Sequence, residues 1–182
     1  MTTLYTIGHS THTLWEFIAL LQAHKIKHLI DVRSIPKSRH VPWFNKNELK
    51  VALQAAKITY EHLPELGGLR HTHKDSINQA WNNLSFRGYA DYMQSPEFYQ
   101  ALKKLNQHLR KKGRTAIMCA EALPWRCHRS LIGDAEVVRR IKVLDILSIT
   151  KLHPHQLTSF AVVDRTKKPI KVFYPKQDIF EQ

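Results

Sequence analysis

The sequence has no long hydrophobic run and little cysteine. No stretch of its 182 residues approaches the ~18 consecutive apolar residues of a membrane-spanning helix, so we expect no membrane partner. Its two cysteines, Cys119 and Cys127, are too few for the disulfide framework of a small secreted protein. The first residues, MTTLYTIGHS, also lack the basic and apolar segments of a secretion signal. These absences predict a cytoplasmic protein with reduced thiols.

Acidic residues are scarce as well. The chain has 15 acidic residues against 28 lysines and arginines, which gives a formal net charge of +13. A field of this sign attracts polyanions, so the composition predicts an anionic ligand, with nucleic acid as one candidate, bound in a salt-sensitive way. The alternative is that the charge serves solubility alone. Because the basic residues are spread along the chain, we expect them on a folded surface and not in a disordered arm.

Strand-like and helix-like patterns alternate along the chain. Alternation of this kind is typical of an α/β fold with a mostly parallel sheet and helices on both faces, a Rossmann-like three-layer sandwich. We expect a single domain over residues 1–182, in which residues 150–182 form a basic C-terminal extension. Apolar runs predict strands over 4–7, 28–34, 58–63, 116–119 and 143–147. Amphipathic patterns behind capping signals predict helices that begin near Thr13, Asn45 and Ser95, and a further helical pattern from Arg126 onward begins close to Cys127 and His128.

Other segments have weaker patterns. Residues 84–93 are aromatic and polar by turns, which predicts a loop that enters a helix. Residues 154–161 are predicted as a short helix, and residues 170–174 as an edge strand. The stretch from Pro64 to Ser76 has paired glycines and no periodicity. It therefore indicates a long irregular loop near a site.

The densest group of reactive side chains lies between Thr115 and Gly133, in TAIMCAEALPWRCHRSLIG. Cys119 and Glu121 follow the predicted strand, and Cys127 stands near the start of the next helix. A helix N-terminus and neighbouring cations lower the pKa of a thiol, so Cys127 is the better candidate for a reactive thiolate. Cys119, at the end of a buried strand, is also consistent with a small core residue.

Two more predicted strands are followed by polar residues, after Gly8 and from Asp31 onward. Because the carboxyl ends of parallel strands share one edge of a sheet, and ligands bind there, we expect a single site. Two structural alternatives stay open: His9 as a helix cap, and Asp31 as the partner of Arg33 or Arg129 in a buried ion pair. The candidate catalytic residues are Asp31, Glu121, Cys127 and His128, and the candidate substrate-binding residues are His9, Ser10, Arg33, Ser34, Arg39 and Arg129.

The chain carries, in this order, the motifs TIGHS, DVRSIPKS, YEHLPELGG, FRGYADYM and MCAEALPWRCHRSLIG. With them it resembles the prokaryotic family catalogued as domain of unknown function 488, over roughly residues 3–150. The resemblance implies a compact α/β domain of cytoplasmic proteins and supplies no activity. The chain departs from the family pattern at Gly133, where we expect alanine, and at Asp145, where histidine is frequent. The family's motif positions are matched by His9, Asp31, Arg33, Cys119, Glu121, Cys127, His128 and Arg129.

Three functions are compatible with these residues. The first is an enzyme for a phosphate-bearing substrate, nucleic acid or a nucleotide, with Arg33, Arg39 and Arg129 as the phosphate clamp. The second is a thiol-dependent transferase with Cys127 as nucleophile, and the third is a nucleic-acid-binding module without catalysis. No cofactor is predicted. A metal site at Cys119, Cys127, His128 and His9 is a fourth alternative, but zinc is not expected, because the spacing of these residues matches no closed zinc motif.

Overall fold

Eight strands and five α-helices form the part of the chain that the computed structural model describes, residues 2–111 and 113–176. The end of the predicted C-terminal extension, 177–182, lies outside the described residues. The strands are β1 (Thr3–Gly8), β2 (Ile26–Asp31), β3 (Thr59–His62), β4 (Arg114–Cys119), β5 (Lys142–Ile146), β6 (Leu152–Pro154), β7 (Val162–Asp164) and β8 (Lys171–Phe173). The helices are α1 (Leu14–Ala23), α2 (Lys46–Ala55), α3 (Leu84–Tyr92), α4 (Pro96–Leu109) and α5 (Arg129–Val137). Among these described helices, none combines the length and apolar character needed to cross a bilayer.

The first six strands form one sheet in the order β3-β2-β4-β1-β5-β6. All neighbouring pairs run parallel except β5 with β6. Gly8 lies opposite Cys119 across β1 and β4, and Asp31 lies opposite Met118 across β2 and β4. The carboxyl ends of these three strands therefore meet at one edge. The predicted α/β fold with a mostly parallel sheet is confirmed.

Helices cover both faces of the sheet, and each face has its own hydrophobic core. Along β4, Ala116 and Met118 belong to the core formed with α1 and α2, whereas Ile117 and Cys119 belong to the core formed with α3, α4 and α5. This alternation follows from the two-residue period of a strand. It directs the Cys119 side chain to the face of the sheet that holds α5.

Side chains cap the starts of α1, α3 and α4, whereas α2 and α5 begin without a side-chain cap. At α1, the Thr13 hydroxyl accepts from the Glu16 amide at 3.2 Å and the Glu16 carboxylate accepts from the Thr13 amide at 2.7 Å, so the predicted capping box is confirmed. Ser95 likewise caps α4. At α2 the capping prediction is wrong, because the Asn45 side chain accepts from the Ser38 amide instead.

The weaker predictions need correction. The segment 84–93 has no loop at its start: it is helical from Leu84 to Tyr92, as α3, because the Asn83 side chain caps its opening amides. Residues 154–161 contain no helix, since the end of β6 pairs with β5 and the His155 amide donates to the Val143 carbonyl oxygen at 3.0 Å. The strand expected near the C-terminus exists as β8, but it pairs with β7 in a separate two-stranded sheet.

Asp134 of α5 attaches the C-terminal segment to the domain. Its fully buried carboxylate accepts from the His155 ring at 2.8 Å, the Thr158 amide at 3.0 Å and the Tyr174 hydroxyl at 2.8 Å. The neighbouring Gly133 makes room for this contact, because a Cβ there would lie 2.8 Å from the His155 ring. The glycine that departs from the family pattern is thus explained by the segment packed against it.

Candidate functional site

A cavity of about 400 Å³ opens at the carboxyl edge of the sheet. It contains five of the ten predicted site residues, namely Arg33, Ser34, Glu121, Cys127 and His128. The ends of β2 and β4, the loop after β3, the first turn of α3 and the segment before α5 all contribute to its walls. The complete lining is Arg33, Ser34, Ile35, Gly68, Leu69, Ser85, Phe86, Cys119, Ala120, Glu121, Arg126, Cys127 and His128.

Cys127 lines this cavity two residues before α5 begins. The buried Arg129 donates its Nε–H to the Cys127 Sγ at 3.4 Å, and the Arg129 amide approaches the same sulfur at 3.5 Å. Burial alone would raise the pKa of the Cys127 thiol, but hydrogen bonds with Cys119 and His128 and the charges of His128 and Arg129 lower that pKa well below its usual value. Of the two cysteines, Cys127 is therefore the one whose surroundings favour the thiolate.

Cys119 ends β4 with its Sγ 2.7 Å from the Cys127 Sγ. Burial and the hydrogen bond with Cys127 raise the pKa of Cys119 well above its usual value. Cys119 therefore keeps its proton and directs it toward the Cys127 sulfur. The two free cysteines are almost fully enclosed, with 4% and 5% of their surfaces exposed, so water competes little for either sulfur.

His128 connects the thiol pair to the end of β2. Its Nε2 lies 3.2 Å from the Val32 carbonyl oxygen, which can only accept, so Nε2 carries a proton. Its Nδ1 lies 3.5 Å from the Cys127 Sγ, so a proton can pass between the two atoms: the ring is neutral beside the thiol and is an imidazolium beside the thiolate. This arrangement lets His128 take the thiol proton of Cys127 and return it to a leaving group.

Arg129 is fixed beside the sulfur by a chain of hydrogen bonds from the sheet. Its Nη1 donates to the Thr6 hydroxyl at 3.1 Å, and its Nη2 donates to the Glu121 carbonyl oxygen at 2.6 Å. Thr6 in turn donates to the buried carboxylate of Asp145 at 2.5 Å. Sequence reasoning missed Thr6, because a threonine inside an apolar strand carries no signal that separates it from the core.

Asp31 and Arg33 form a buried ion pair at the side of the cavity. Arg33 donates from Nη2 to Asp31 Oδ2 at 2.7 Å and from Nε to Oδ1 at 2.9 Å, and the Tyr60 hydroxyl donates to the same Oδ2 at 2.7 Å. Arg33 Nη2 also donates to the Phe44 carbonyl oxygen at 2.7 Å. The structural alternative for Asp31 is the one observed: its carboxylate is fully buried and holds Arg33 in place.

The other predicted ligands differ in their positions. His9 and Ser10 do not line the cavity, and the buried His9 ring stacks on Phe44 with the ring centres 4.3 Å apart. Burial lowers the pKa of His9 to about 4, so the ring is neutral and is not a cationic ligand for phosphate. Arg39 is exposed between β2 and α2, outside the cavity lining. Ser34 lies at the cavity wall, where its hydroxyl accepts from the loop after β3.

The walls of the cavity include residues that sequence reasoning missed. Ile35, Leu69 and Phe86 give it an apolar surface. Ile35 and Leu69 lie in segments that have neither strand nor helix periodicity, and Phe86 lies in α3, whose first turn was not predicted. The paired glycines after β3 were the available signal. A Cβ on Gly68 would lie 2.6 Å from the His128 Nδ1, so the loop reaches the imidazole only because it has no side chain there.

The same three side chains could also hold a metal ion. Ligand atoms of Cys119, Cys127 and His128 all lie within 4.8 Å of one another. Thiolates and imidazole are suitable ligands for zinc or a softer ion, and three protein ligands would leave a fourth position open. The guanidinium of Arg129, however, points at the Cys127 sulfur and competes with a cation for its charge.

Comparison with known proteins gives one match. The family described as "Domain of unknown function DUF488" matches residues 13–135, a range that includes both cysteines, His128 and Arg129. No curated protein and no solved structure matches the chain. Because the matched range spans more than half of the sequence, the chain belongs to the DUF488 family.

Proposed function

We propose that this protein is a thiol-dependent transferase that uses Cys127 as its nucleophile on an anionic substrate. The observation that carries the proposal is the convergence of three groups on one sulfur: Arg129 Nε at 3.4 Å, His128 Nδ1 at 3.5 Å and Cys119 Sγ at 2.7 Å. A cysteine that only packs in a core has no need of such partners. A stabilised thiolate at the wall of an open cavity is the arrangement that nucleophilic catalysis requires.

In the proposed reaction, the Cys127 thiolate attacks an electrophilic centre of the substrate and forms a covalent bond to it. The leaving group departs with the bonding electron pair and takes from His128 the proton that the thiol gave up. An acceptor molecule then loses its proton to His128 or Glu121 and displaces Cys127, which returns as the thiolate. Glu121 is the second candidate base because its side chain lines the same cavity.

The cavity favours a substrate with an apolar part and a negative charge. Ile35, Leu69 and Phe86 supply the apolar walls, and Arg126 is exposed where it lines the cavity. The net charge of +13 adds a long-range attraction of the same sign. A cytoplasmic location, predicted from the composition, is part of this proposal because a reducing compartment keeps the thiolate available.

The phosphate-clamp hypothesis receives less support, because its arginines already have partners in the protein. Arg33 is bonded to Asp31, and Arg129 is bonded to Cys127 and to two oxygens of the protein. Arg39 is not among the residues that line the cavity. A bonded guanidinium must give up its hydrogen bonds before it can bind phosphate. Nucleic-acid binding stays a prediction from charge. If it occurs, the affinity for an oligonucleotide should fall steeply as the salt concentration rises.

Alkylation tests the proposed nucleophile. We expect iodoacetamide near neutral pH to modify Cys127 at least ~10-fold faster than Cys119, since the thiolate is the reactive form. Peptide mapping by mass spectrometry would locate the label. His128→Gln should slow the reaction of Cys127, whereas His40→Gln, at an exposed histidine outside the cavity lining, should not. Equal or faster labelling of Cys119 would contradict the proposal.

Catalysis requires a separate measurement. Activated esters and thioesters with a carboxylate or phosphate group should leave a covalent acyl adduct on Cys127 and should be turned over when a thiol or amine acceptor is added. Cys127→Ser should abolish both results while circular dichroism shows an unchanged fold. Turnover that survives in Cys127→Ser would refute the assigned nucleophile.

A further inference from the structure

We infer that Cys119 and Cys127 form a redox couple whose substrate is the disulfide of an anionic low-molecular-weight thiol, with Cys119 as the thiol that resolves a mixed disulfide on Cys127. The inference rests on the proposed function for the nucleophilic character of Cys127. It goes further by giving the second cysteine a chemical role and by naming the class of substrate.

The two sulfurs lie close enough to bond after a small movement. They are 2.7 Å apart, whereas the sulfurs of a disulfide are ~2.05 Å apart. Backbone hydrogen bonds hold both residues, since the Cys119 carbonyl oxygen accepts from the His9 amide at 2.9 Å and the Cys127 amide donates to the Pro124 carbonyl oxygen at 3.0 Å. The pairing is therefore built into the junction of β4 and α5.

The surroundings of the two cysteines suit Cys127 as the attacking thiol and Cys119 as the resolving thiol. Both sulfurs lie in the same core and line the cavity, but Cys127 receives the Arg129 Nε–H and faces the His128 Nδ1, whereas burial and the hydrogen bond with Cys127 raise the pKa of Cys119. Cys127 is thus the first to react. Once Cys127 is bound to a substrate sulfur, Cys119 needs a base, and a ring nitrogen of His128 lies within 4.8 Å of its sulfur.

The chemical steps balance without a further reactant. The Cys127 thiolate attacks one sulfur of the substrate disulfide, a mixed disulfide forms, and the first substrate thiolate leaves and takes from His128 the proton that Cys127 gave up. Cys119 then gives its proton to His128 and attacks the Cys127 sulfur, and the second substrate thiolate leaves and takes up that proton. The protein dithiol is oxidised to a disulfide, and the substrate disulfide is reduced to two thiols by the same electron pair.

The choice of substrate follows from the second thiol and from the cavity. A resolving cysteine is useful only when the reaction leaves a substrate sulfur on Cys127, because Cys119 can then displace that sulfur and form a disulfide with Cys127. If the reaction left an acyl group on Cys127, attack by Cys119 would only move the acyl group onto Cys119. In a reducing compartment, protein disulfides are mostly transient and catalytic or regulatory. The volume of about 400 Å³ suits a small molecule, and the exposed Arg126 favours an anionic one.

Two small disulfides of opposite charge test the inference on the full chain. Reduced protein is mixed with oxidised glutathione, which is anionic, or with cystamine, which is cationic, and the products are trapped and mapped by mass spectrometry. We expect wild-type protein to form the Cys119–Cys127 disulfide, and faster with oxidised glutathione than with cystamine. Arg126→Gln should reduce that preference.

Variants of the two cysteines separate the steps. Cys119→Ser should accumulate glutathione on Cys127, because the resolving thiol is missing. Cys127→Ser should react at least ~10-fold more slowly than wild type, because its remaining thiol is protonated. Cys119→Ala replaces Cys119→Ser if the serine variant does not fold.

Each contrary result has a distinct meaning. Wild-type protein that stops at the mixed disulfide on Cys127 would overturn the redox inference and leave the nucleophile intact. Equal reaction of both cysteines with iodoacetamide would overturn the proposed function, and the inference with it. If the isolated protein holds zinc that must be chelated before either thiol reacts, the pair is a metal site and the redox role is overturned.

Discussion

Arg129 is the residue that links the sheet to the chemistry of the thiols. It is 1% exposed, and its N–H groups donate to Thr6, to the Glu121 carbonyl oxygen and to the Cys127 sulfur. Burying a guanidinium is costly unless hydrogen bonds and a negative charge compensate it. The Cys127 thiolate supplies that charge, so the cation and the thiolate stabilise each other.

Replacement of Arg129 should therefore raise the pKa of Cys127. Arg129→Lys keeps a positive charge but loses the planar group that bonds three acceptors at once. We expect the pH midpoint for alkylation of Cys127 to move up toward the ~8.5 of an ordinary cysteine. The pH profile of the iodoacetamide rate measures this shift. Arg126→Lys, three positions earlier and exposed, is the matched control and should leave the midpoint unchanged. An unaltered midpoint in Arg129→Lys would contradict the role given to its guanidinium.

The sequence identified the thiol and its neighbours better than the roles of the arginines. Cys127, His128 and Arg129 are adjacent in the chain, so their chemistry could be predicted together. The pairing of Arg33 with Asp31 was one of the alternatives left open, but the second acceptor of Arg33, the Phe44 carbonyl oxygen, could not be predicted, because it lies beyond a loop of irregular conformation. Whether a cation is free or bonded depends on contacts that a local pattern does not contain.

The loop after β3 can approach the site closely because two of its residues are glycines without side chains. Gly67 and Gly68 bring it against the cavity, and a Cβ on Gly67 would lie 2.2 Å from the Ser34 hydroxyl oxygen. A Cβ on Gly68 would lie 2.6 Å from His128 Nδ1. The loop thus limits the positions that the imidazole can adopt relative to Cys127.

Gly68→Ala should displace the His128 ring and weaken its contact with Cys127. Because the clash is with a side chain, we expect the fold to survive and the rate of Cys127 alkylation near neutral pH to fall several-fold, by up to ~10-fold if the hydrogen bond is lost entirely. Iodoacetamide kinetics and circular dichroism on the same sample check both statements. Leu69→Ala, the next residue and 70% exposed, is the control and should alkylate as wild type does. Identical kinetics in Gly68→Ala would show that the loop does not position His128.

The order of the elements was predictable because hydrophobic period is a local property. Strands that pair with distant partners were harder, as β6 shows: its partner in β5 and the His155 contact with Asp134 override a short helical pattern. The first turn of α3 was missed for a different reason. Its capping residue Asn83 follows another asparagine in a polar stretch, where several starts are equally compatible with the sequence.

Two buried groups give the whole molecule opposing responses to acid. Burial lowers the pKa of His9 to about 4, and burial raises the pKa of Glu136 to about 7. For His9 the unfolded chain binds more protons between pH ~4 and ~6.5, so its contribution to stability is lost as the pH falls. For Glu136 the folded chain binds more protons between pH ~4.5 and ~7, so its contribution is lost as the pH rises. The two effects nearly cancel in the wild type.

Variants that remove one of the two groups should reveal the pH dependence of the free energy of unfolding that the other group causes. Relative to wild type, His9→Gln should become more stable by about 3 kcal/mol as the pH falls from about 7 to about 4.5, because only the Glu136 effect remains. Glu136→Gln should lose about the same amount over that range, because only the His9 effect remains. Urea unfolding of the three proteins at both pH values measures the differences. Parallel pH dependences of all three proteins would contradict the assigned protonation states.

The two edge strands of the six-stranded sheet determine how readily the protein aggregates at high concentration. At one border, β3 has four residues and its Glu61 carboxylate lies 3.1 Å from the His108 ring. At the other, β6 has three residues and ends in Pro154, which has no amide hydrogen to offer a further strand. Short edge strands that carry charge or proline are poor templates for fibril growth. The strand that the sequence pattern did not predict thus protects the protein from polymerising through its backbone.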